Sequence, residues 1–378
     1  MMRELRVSLR DPLIARDGRP FGIGQGFRMH SLSWPYPSTF AGAVRTILGK
    51  AAGGDFSADV VTALKQVSIH GPVASVDKEL YFAIPKDAVL RATDQKIFAA
   101  RPISLRLGEG CNLPDSKLLP VCLPSSVEDD FKPANLPAFW SASKVVEWLL
   151  SESGESFSLP SIEESIDTPE IDDRTHVKIF HEMGAAENRM LFQTAGLALP
   201  DRVKLSMRVD ACDSFDEILN RHLPMLHPMS GERRLVRWES VSSTAWQCPS
   251  RIQQLVADAK YIRMALVTPA LFQHGWLPDW VVRGVFFGTN IRVKLRAAIL
   301  DRWKPISGWS IETANPGAKP IRRLVPAGSV YFLEKEDPTP LPIESLWLRP
   351  VSDTDQDQRD GFGMALWGIW QNNLKEHD

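Results

Sequence analysis

Between residues 11 and 30 the chain reads Asp11-Pro-Leu-Ile-Ala-Arg-Asp-Gly-Arg-Pro-Phe-Gly-Ile-Gly-Gln-Gly-Phe-Arg-Met-His30, and it continues as Pro37-Ser-Thr-Phe-Ala-Gly-Ala-Val-Arg-Thr-Ile-Leu-Gly49. The first part is a glycine- and arginine-rich loop, and the second has the apolar spacing of a helix. Glycines without Cβ atoms let a backbone approach a ligand closely, and guanidinium groups match phosphate oxygens. The residues in question are Gly22, Gly24, Gly26, Arg16, Arg19 and Arg28. The stretch therefore predicts a loop that contacts a nucleic-acid backbone or another phosphate.

The predicted helix follows this loop directly. Phe40, Val44, Ile47 and Leu48 share one face, and Gly49 is a suitable stop. Ser38 is the expected N-cap, which would leave backbone N–H groups at the helix start facing an anion. Upstream, residues 5–9 alternate apolar and polar side chains, which predicts a half-buried strand.

Composition indicates an ordinary globular protein. The chain has 378 residues, 44% of them hydrophobic and 24% charged, which favours two domains. No apolar run approaches a membrane span and the N-terminus lacks a signal-peptide pattern, so we expect a cytoplasmic protein without a membrane partner. Four cysteines form no CxxC pair, and we expect reduced thiols.

Charge is distributed unevenly although the net charge is −2. Residues 1–50 carry eight Lys/Arg against three Asp/Glu, and residues 283–323 carry nine against two. Residues 151–173 carry eight Asp/Glu and no Lys/Arg. Two basic zones separated by an acidic one suit a protein with an RNA-facing side. Solvated surface runs are the alternative, and composition by itself favours that alternative.

Strand patterns predominate along the chain. We place an N-terminal domain at 1–250, with insertions at about 85–173, and a C-terminal domain at 251–378. Residues 85–140 read as an irregular insertion and 151–173 as a mobile acidic loop. Residues 174–194 predict a projecting hairpin with its turn near Gly184, and 203–209 predict a strand. The fold class is α+β.

Cofactor and metal motifs do not fit this sequence. Neither the glycines of the loop nor Gly361-x-Gly363-x4-Gly368 has dinucleotide-binding spacing, and no Walker A loop is present. The histidine pairs lack the spacing and cysteines of a zinc site. We therefore expect no cofactor and no metal. His30, beside the glycine loop, is the single candidate for acid–base chemistry on RNA.

Several blocks together resemble one family. Besides the two opening stretches, they are Gly231-Glu-Arg-Arg234, Thr268-Pro-Ala-Leu-Phe-x-x-Gly-Trp-Leu-Pro278, Lys319-Pro-x-Arg-Arg-x-Val-Pro-Ala-Gly-Ser-Val-Tyr-Phe332 and the glycine-rich Gly361–Gly368. This pattern is similar to the RAMP-superfamily subunit of type III-B (Cmr) CRISPR–Cas effector complexes that holds the 5′ tag of the guide RNA (crRNA). The matches run from residue 11 to 368.

The resemblance implies two ferredoxin-like (RRM-like) domains with loop insertions and a projecting β-hairpin. It implies a non-catalytic subunit of an antiviral ribonucleoprotein, which binds the crRNA 5′ tag and docks the large polymerase/nuclease subunit. The other implied partners are the backbone RAMP subunits and, indirectly, target RNA.

The expected RNA-binding residues combine the resemblance with the basic pattern. Those in the first fifty residues are Arg16, Arg19, Gly22, Gly24, Gly26, Arg28, His30, Ser38, Thr39 and Arg45; those further along are Arg174, Lys178, Arg233, Arg234, Lys319, Arg322 and Arg323. Phe21, Phe27 or Trp34 could stack on a base, with core packing an equal alternative.

Two other functions stay open at this point. One is a metal-independent endoribonuclease that processes CRISPR repeat RNA with His30. The other is a purely protein-binding adaptor whose basic zones contact acidic partners.

Overall fold

A computed structural model of the chain describes residues 2–17, 19, 21, 27–105, 108, 110–115, 117–124, 127, 131–151, 155–310 and 316–371. The predicted ligand-facing glycines Gly22, Gly24 and Gly26 lie outside these residues. The chain forms two compact units, each discontinuous in sequence. The first unit contains 1–77, 168–242 and 305–322, and the second contains 78–167, 243–304 and 323–378. In the described part of the chain, no helix has the length and apolarity needed to cross a membrane.

The elements of secondary structure, in chain order, are as follows. They are β1 (Met2–Leu9), β2 (Phe27–Arg28), α1 (Pro37–Ala51), α2 (Ala58–Gln66), β3 (Ser68–Val76), β4 (Glu79–Ala83), β5 (Ala88–Arg91), β6 (Lys96–Ala99), β7 (Arg101–Pro102), β8 (Val121–Cys122), β9 (Phe139–Ser141), α3 (Ala142–Leu149), β10 (Ser156–Ser158), β11 (Ser165–Ile166), β12 (Glu170–Phe180), β13 (Ala185–Ala198), β14 (Lys204–Asp210), α4 (Asp213–His222), β15 (Met225–Met229), a 3₁₀ turn (Gly231–Arg233), β16 (Arg234–Val241), α5 (Ser250–Val256), β17 (Tyr261–Leu266), α6 (Asp279–Val282), β18 (Val293–Ile299), β19 (Lys304–Ile306), β20 (Trp309–Ser310), β21 (Gly317–Ala318), β22 (Arg322–Leu324), β23 (Val330–Lys335), α7 (Ile343–Leu346), α8 (Asp355–Arg359) and β24 (Ala365–Ile369).

The first unit is built on an antiparallel sheet with the strand order β3-β14-β1-β16-β15. Alternate side chains of β1, among them Leu5 and Val7, are buried, as the period-2 pattern predicts. They join one apolar core with Phe40 and Val44 of α1 and with Trp238 of β16. The predicted strand and helix near the N-terminus are thus confirmed.

A long antiparallel hairpin, β12–β13, belongs to the same unit. Gly184 occupies its turn with φ +61°, and the short strand β2 pairs with β13 in parallel. The hairpin prediction is confirmed. The prediction of a mobile loop over 151–173 is wrong for its described residues 155–173, because they contain β10, β11 and the start of β12. The acidic residues of β12 lie in a ladder, and guanidinium groups pair with Asp172 and Asp173.

The second unit contains an antiparallel sheet with the order β18-β23-β17-β24. The insertion supplies β9, β11 and the helix α3, and β9 pairs with both β11 and β4. Gly368 of β24 lies so close to α3 that a Cβ atom there would be 2.4 Å from the Leu149 carbonyl oxygen. The insertion therefore packs against the C-terminal sheet, whereas the sequence-based boundaries assign about 85–173 to the N-terminal domain.

A fully buried ionic cluster also ties the insertion to this sheet. Asp87 accepts hydrogen bonds from Arg101 and Arg263, each 2.6 Å long and both to Oδ2. Its other oxygen accepts from the indole of Trp148 at 2.8 Å. Burial lowers the pKa of Arg263 to about 9, with the neighbouring Arg101 as the second cause. An arginine guanidinium stays charged in proteins, so two cations share one carboxylate here.

Sheets with a small number of helices confirm the mixed α and β class. The region 85–140, expected to be irregular, contains β5, β6, β7, β8 and most of β9 among its described residues. Its strands are two to four residues long, which is too short for a clear alternation in sequence.

Candidate nucleic-acid interface

The first unit contains a cavity of about 690 Å³. Three segments supply most of its lining: residues 14–16, the first two-thirds of α1, and the turn at 227–232. The residues Arg16, Ser38 and Thr39, predicted from sequence, all belong to its wall. The opening motif and the Gly231 motif, more than 200 residues apart, are thus brought to one place.

A close approach between two backbones joins these segments. The Gly231 N–H donates to the Ile14 carbonyl at 3.2 Å, and the Ser230 hydroxyl donates to the same oxygen. A Cβ atom at position 231 would be 2.7 Å from the Ile14 side chain, which would have to shift to admit any other residue. The backbone has positive φ at Ser230, Glu232 and Arg233, a conformation that residues other than glycine rarely adopt. The backbone of this turn is therefore held by its contacts against its own preference.

Helix α1 begins two positions earlier than the predicted N-cap implies. Tyr36, not Ser38, is its N-cap residue, and Pro37 is at the first helical position. Because proline has φ fixed near the helical value and lacks an N–H, it favours that position. Ser38 is the exposed second residue of the helix and lines the cavity. Burial and the nearby Asp17 carboxylate raise the pKa of Tyr36 to about 12, so its phenol stays protonated.

Two further groups in the wall are hydrogen-bond acceptors that the sequence did not reveal. His227 places Nδ1 2.7 Å from the Pro228 carbonyl oxygen, a contact in which only the nitrogen can donate. Burial lowers the pKa of His227, which keeps the imidazole neutral and makes Nε2 an acceptor. Nε2 is buried and has no hydrogen-bond partner among the described residues. Glu232 adds a carboxylate to the same wall, and its place in the Gly231-Glu-Arg-Arg motif was the available signal.

A chain of ring contacts links the cavity to the hairpin. The Arg16 guanidinium lies 6.0 Å from the Phe21 ring centre, and Phe21 meets Phe192 edge-on at 6.1 Å. Phe192 stacks on His176 at 5.2 Å, and His176 Nε2 is 2.9 Å from the Thr194 hydroxyl. Phe21 thus combines a place in the cavity wall with packing on the hairpin.

The other two residues that could stack on a base are Trp34, which does not line the cavity, and Phe27. Trp34 is partly buried against the core, which favours the packing alternative. Phe27 contributes its backbone to β2, and nothing is described of its ring.

Exposed ion pairs involve several of the predicted cations. Arg28 contacts Asp173 at 2.7 Å, Arg174 contacts Asp172 at 2.7 Å, and Lys178 contacts Glu187 at 2.7 Å. Arg19 contacts Asp17 at 3.1 Å. Exposed pairs of this kind contribute about 0–1 kcal/mol, so a phosphate group can compete for the cations.

The remaining predicted residues are dispersed. Arg45 is half-buried and donates to the Val67 carbonyl at 2.8 Å, and the half-buried His30 does not line the cavity. Arg233 is exposed in the 3₁₀ turn, and Arg234 begins β16, where its charge helps to lower the pKa of Asp172 after the larger effect of Arg174.

Lys319 and Arg322 are exposed residues of the first unit, whereas Arg323 belongs to the second. Over the described ranges, no group of three or more His, Cys, Asp or Glu side chains could hold a metal ion.

Comparison with known proteins gives one family match. Residues 5–370 match the family described as "CRISPR-associated protein (Cas_Cmr3)". No curated protein matches the chain.

Among solved structures, one similar chain comes from the type III-B Cmr-beta complex bound to cognate target RNA and AMPPnP, with 14% identity, TM-score 0.47 and coverage of 87% of this chain and 86% of that one. Another comes from the Csm3–Csm4 subcomplex of the type III-A interference complex, with 9% identity, TM-score 0.43 and coverage of 98% and 100%.

Proposed function

The chain belongs to the Cas_Cmr3 family of CRISPR-associated proteins, and from this premise we propose that its first unit binds the 5′ tag of a CRISPR guide RNA. It is a Cmr3-like subunit of a type III CRISPR effector complex. We further propose that the subunit is non-catalytic and docks the large polymerase/nuclease subunit. The observation that carries the RNA assignment is the cavity formed where the Arg16 loop, α1 and the 227–232 turn meet.

The size and chemistry of this cavity suit an unpaired nucleotide. Its volume of about 690 Å³ lies within the range of small-molecule pockets, about 300–1,000 Å³. Single-stranded RNA presents splayed bases and 2′-hydroxyl groups, which proteins read with aromatic rings and polar side chains. Phe21 offers a ring, while Ser38, Thr39 and Tyr36 offer hydroxyl groups.

Two hydrogen-bond acceptors in the cavity wall, His227 Nε2 and the Glu232 carboxylate, support recognition of a base or sugar rather than of phosphate alone. A carboxylate in the wall repels a phosphate, but it accepts hydrogen bonds from an exocyclic amine such as cytosine N4. The neutral Nε2 of His227 is buried without a partner, and an unmatched buried group costs about 1–3 kcal/mol. A 2′-hydroxyl or an amine donating to Nε2 would remove that cost.

The surrounding arginines would hold the backbone of the tag. Arg16 lines the cavity, and Arg19 and Arg28 are exposed and form ion pairs with the surface carboxylates of Asp17 and Asp173. Exchange of those carboxylates for phosphates keeps each guanidinium paired, so the exchange costs little.

Binding of tagged guide RNA by the assembled complex tests this proposal. The double variant Arg16→Ala and Arg19→Ala should weaken binding and make it less sensitive to salt. Each lost phosphate contact on a single strand lowers the slope of log K against log salt by about 0.7, so two contacts lower it by about 1.4. The matched control is Arg221→Ala with Arg251→Ala, two exposed arginines outside the cavity wall.

A second variant examines base or sugar recognition in the same assay. His227→Ala should weaken binding of the natural tag, and it should reduce the preference for RNA over DNA of the same sequence. Equal affinities and equal salt slopes for the wild type, the arginine variant and its control would show that the tag does not bind here.

A further inference from the structure

Trp303, in the second unit, is a large aromatic side chain left in solvent. Its exposed fraction is 50%, while the other described tryptophan side chains are buried or half-buried. The guanidinium of Arg323 lies 4.9 Å from its ring centre. A cation packed on a ring in this way holds it in place and leaves exposed ring surface for another flat group.

The surroundings of Trp303 carry excess positive charge. Arg302 and Lys304 flank it in the chain and are exposed, as is Arg323. The nearby carboxylate of Asp301 is already paired with Lys86 at 3.2 Å and accepts from the Arg302 backbone N–H at 2.8 Å. None of the three flanking cations forms an ion pair with a described residue, so the surface around Trp303 favours an anion.

An exposed ring among unpaired cations fits single-stranded nucleic acid better than an acidic protein segment. Every base has a flat face that stacks on an aromatic ring irrespective of sequence, and the adjoining phosphates supply the negative charge. An acidic peptide would satisfy the cations alone and would leave the tryptophan without a partner. Double-stranded RNA keeps its bases stacked within the helix and offers this ring only its backbone.

We propose that Trp303, held by Arg323 and flanked by Arg302 and Lys304, is a stacking platform for an unpaired base of single-stranded RNA. The proposal goes beyond the proposed function, because these residues belong to the second unit and none of them lines the tag-binding cavity. The platform accepts any unpaired base, so it does not need the tag sequence.

Binding of fluorescein-labelled ten-nucleotide RNAs to the purified full-length chain tests the platform. The probes are an untagged single strand, the same strand with the 5′ tag, and an untagged duplex. Trp303→Ala should weaken binding of the untagged strand by about 5- to 150-fold, the effect of losing one stacked base. Trp303→Phe should retain part of the affinity, and duplex binding should stay unchanged. Val282→Ala, which shortens another exposed apolar side chain of this unit, is the control.

The outcomes separate this inference from the proposed function. If Trp303→Ala binds the untagged strand within twofold of the wild type, or the wild type does not bind it, the platform is refuted. Displacement of the RNA by polyglutamate equally well from wild type and Trp303→Ala would likewise refute it, since charge alone would then be acting. The Arg16→Ala, Arg19→Ala variant should lose its preference for the tagged strand while it retains binding of the untagged one.

Discussion

Replacement of Asp87 by Asn should destabilise the second unit more than any single loss of an exposed ion pair. The substitution keeps the oxygen that accepts from the Trp148 indole at 2.8 Å. It replaces the oxygen that accepts from both guanidinium groups with an uncharged amide NH2, which donates and cannot accept those hydrogen bonds. The Asp87 side chain is fully buried, and those of Arg101 and Arg263 are 5% and 1% exposed. Without the carboxylate, two cations remain in a low-dielectric interior and repel each other.

The expected loss in the free energy of unfolding follows from the buried charges that remain unpaired. Loss of one partner of a buried ion pair costs about 3–5 kcal/mol, because the other charge stays desolvated. Arg101→Met should cost less, because it leaves one cation opposite one anion and removes the repulsion that helps to lower the pKa of Arg263. The expected order of free-energy loss is therefore Asp87→Asn above Arg101→Met.

Urea unfolding of the full chain, followed by tryptophan fluorescence and circular dichroism, measures both variants. The control is Glu147→Gln, which removes an exposed partner of Lys144 and should change the free energy of unfolding by less than about 1 kcal/mol. An Arg101→Met variant as unstable as Asp87→Asn would refute the reasoning, because the excess positive charge would then not be the destabilising factor.

Three further predictions concern packing, pH and catalysis. Gly368→Ala should lower the free energy of unfolding in urea by about 1–3 kcal/mol, because its Cβ would lie 2.4 Å from a backbone oxygen. Gly308→Ala is the control and should be tolerated, because the nearest atom to its Cβ is a flexible lysine carbon at 3.6 Å. The hydrogen bond from Arg3 lowers the pKa of Asp216, so this pair stabilises the protein above the unfolded-state pKa of about 3.9 and loses its effect as the pH falls below that value. The difference in unfolding free energy between wild type and Asp216→Asn should therefore shrink as the pH falls. A constant difference from pH 7 to 3 would contradict this prediction. The purified chain should leave repeat RNA intact in EDTA, and cleavage that disappears in His30→Ala would instead support the endoribonuclease alternative.

Local patterns were sufficient for the elements that bury one regular face. The alternation of residues 5–9 predicted β1, and four apolar residues on one face predicted α1. The hairpin was foreseen from its two extended arms and the glycine at its turn. In each case the sequence signal is local, although β1 itself pairs with residues 205–210 and 236–241.

Sequence patterns did not predict every element or site residue correctly, above all where a residue's partner lies far along the chain. The acidic start of β12 read as a solvated loop, yet its backbone pairs with residues 195–198 and its carboxylates meet Arg28 and Arg174. The N-cap of α1 was displaced by two residues because Pro37 takes the first helical position. His227 has no motif around it, and only the fold makes it part of the cavity wall.

The sequence by itself determined the family, the mixed α and β class and the residue types suited to RNA, because motifs and periodicity are local properties of the chain. The tertiary structure decided which of those residues meet. It placed Arg16, Ser38 and Thr39 around one cavity, joined the insertion to the C-terminal sheet through Asp87, and left Trp303 in solvent. Those outcomes depend on contacts between distant residues, such as Ser230 with Ile14, 216 positions apart, and on the burial of each side chain.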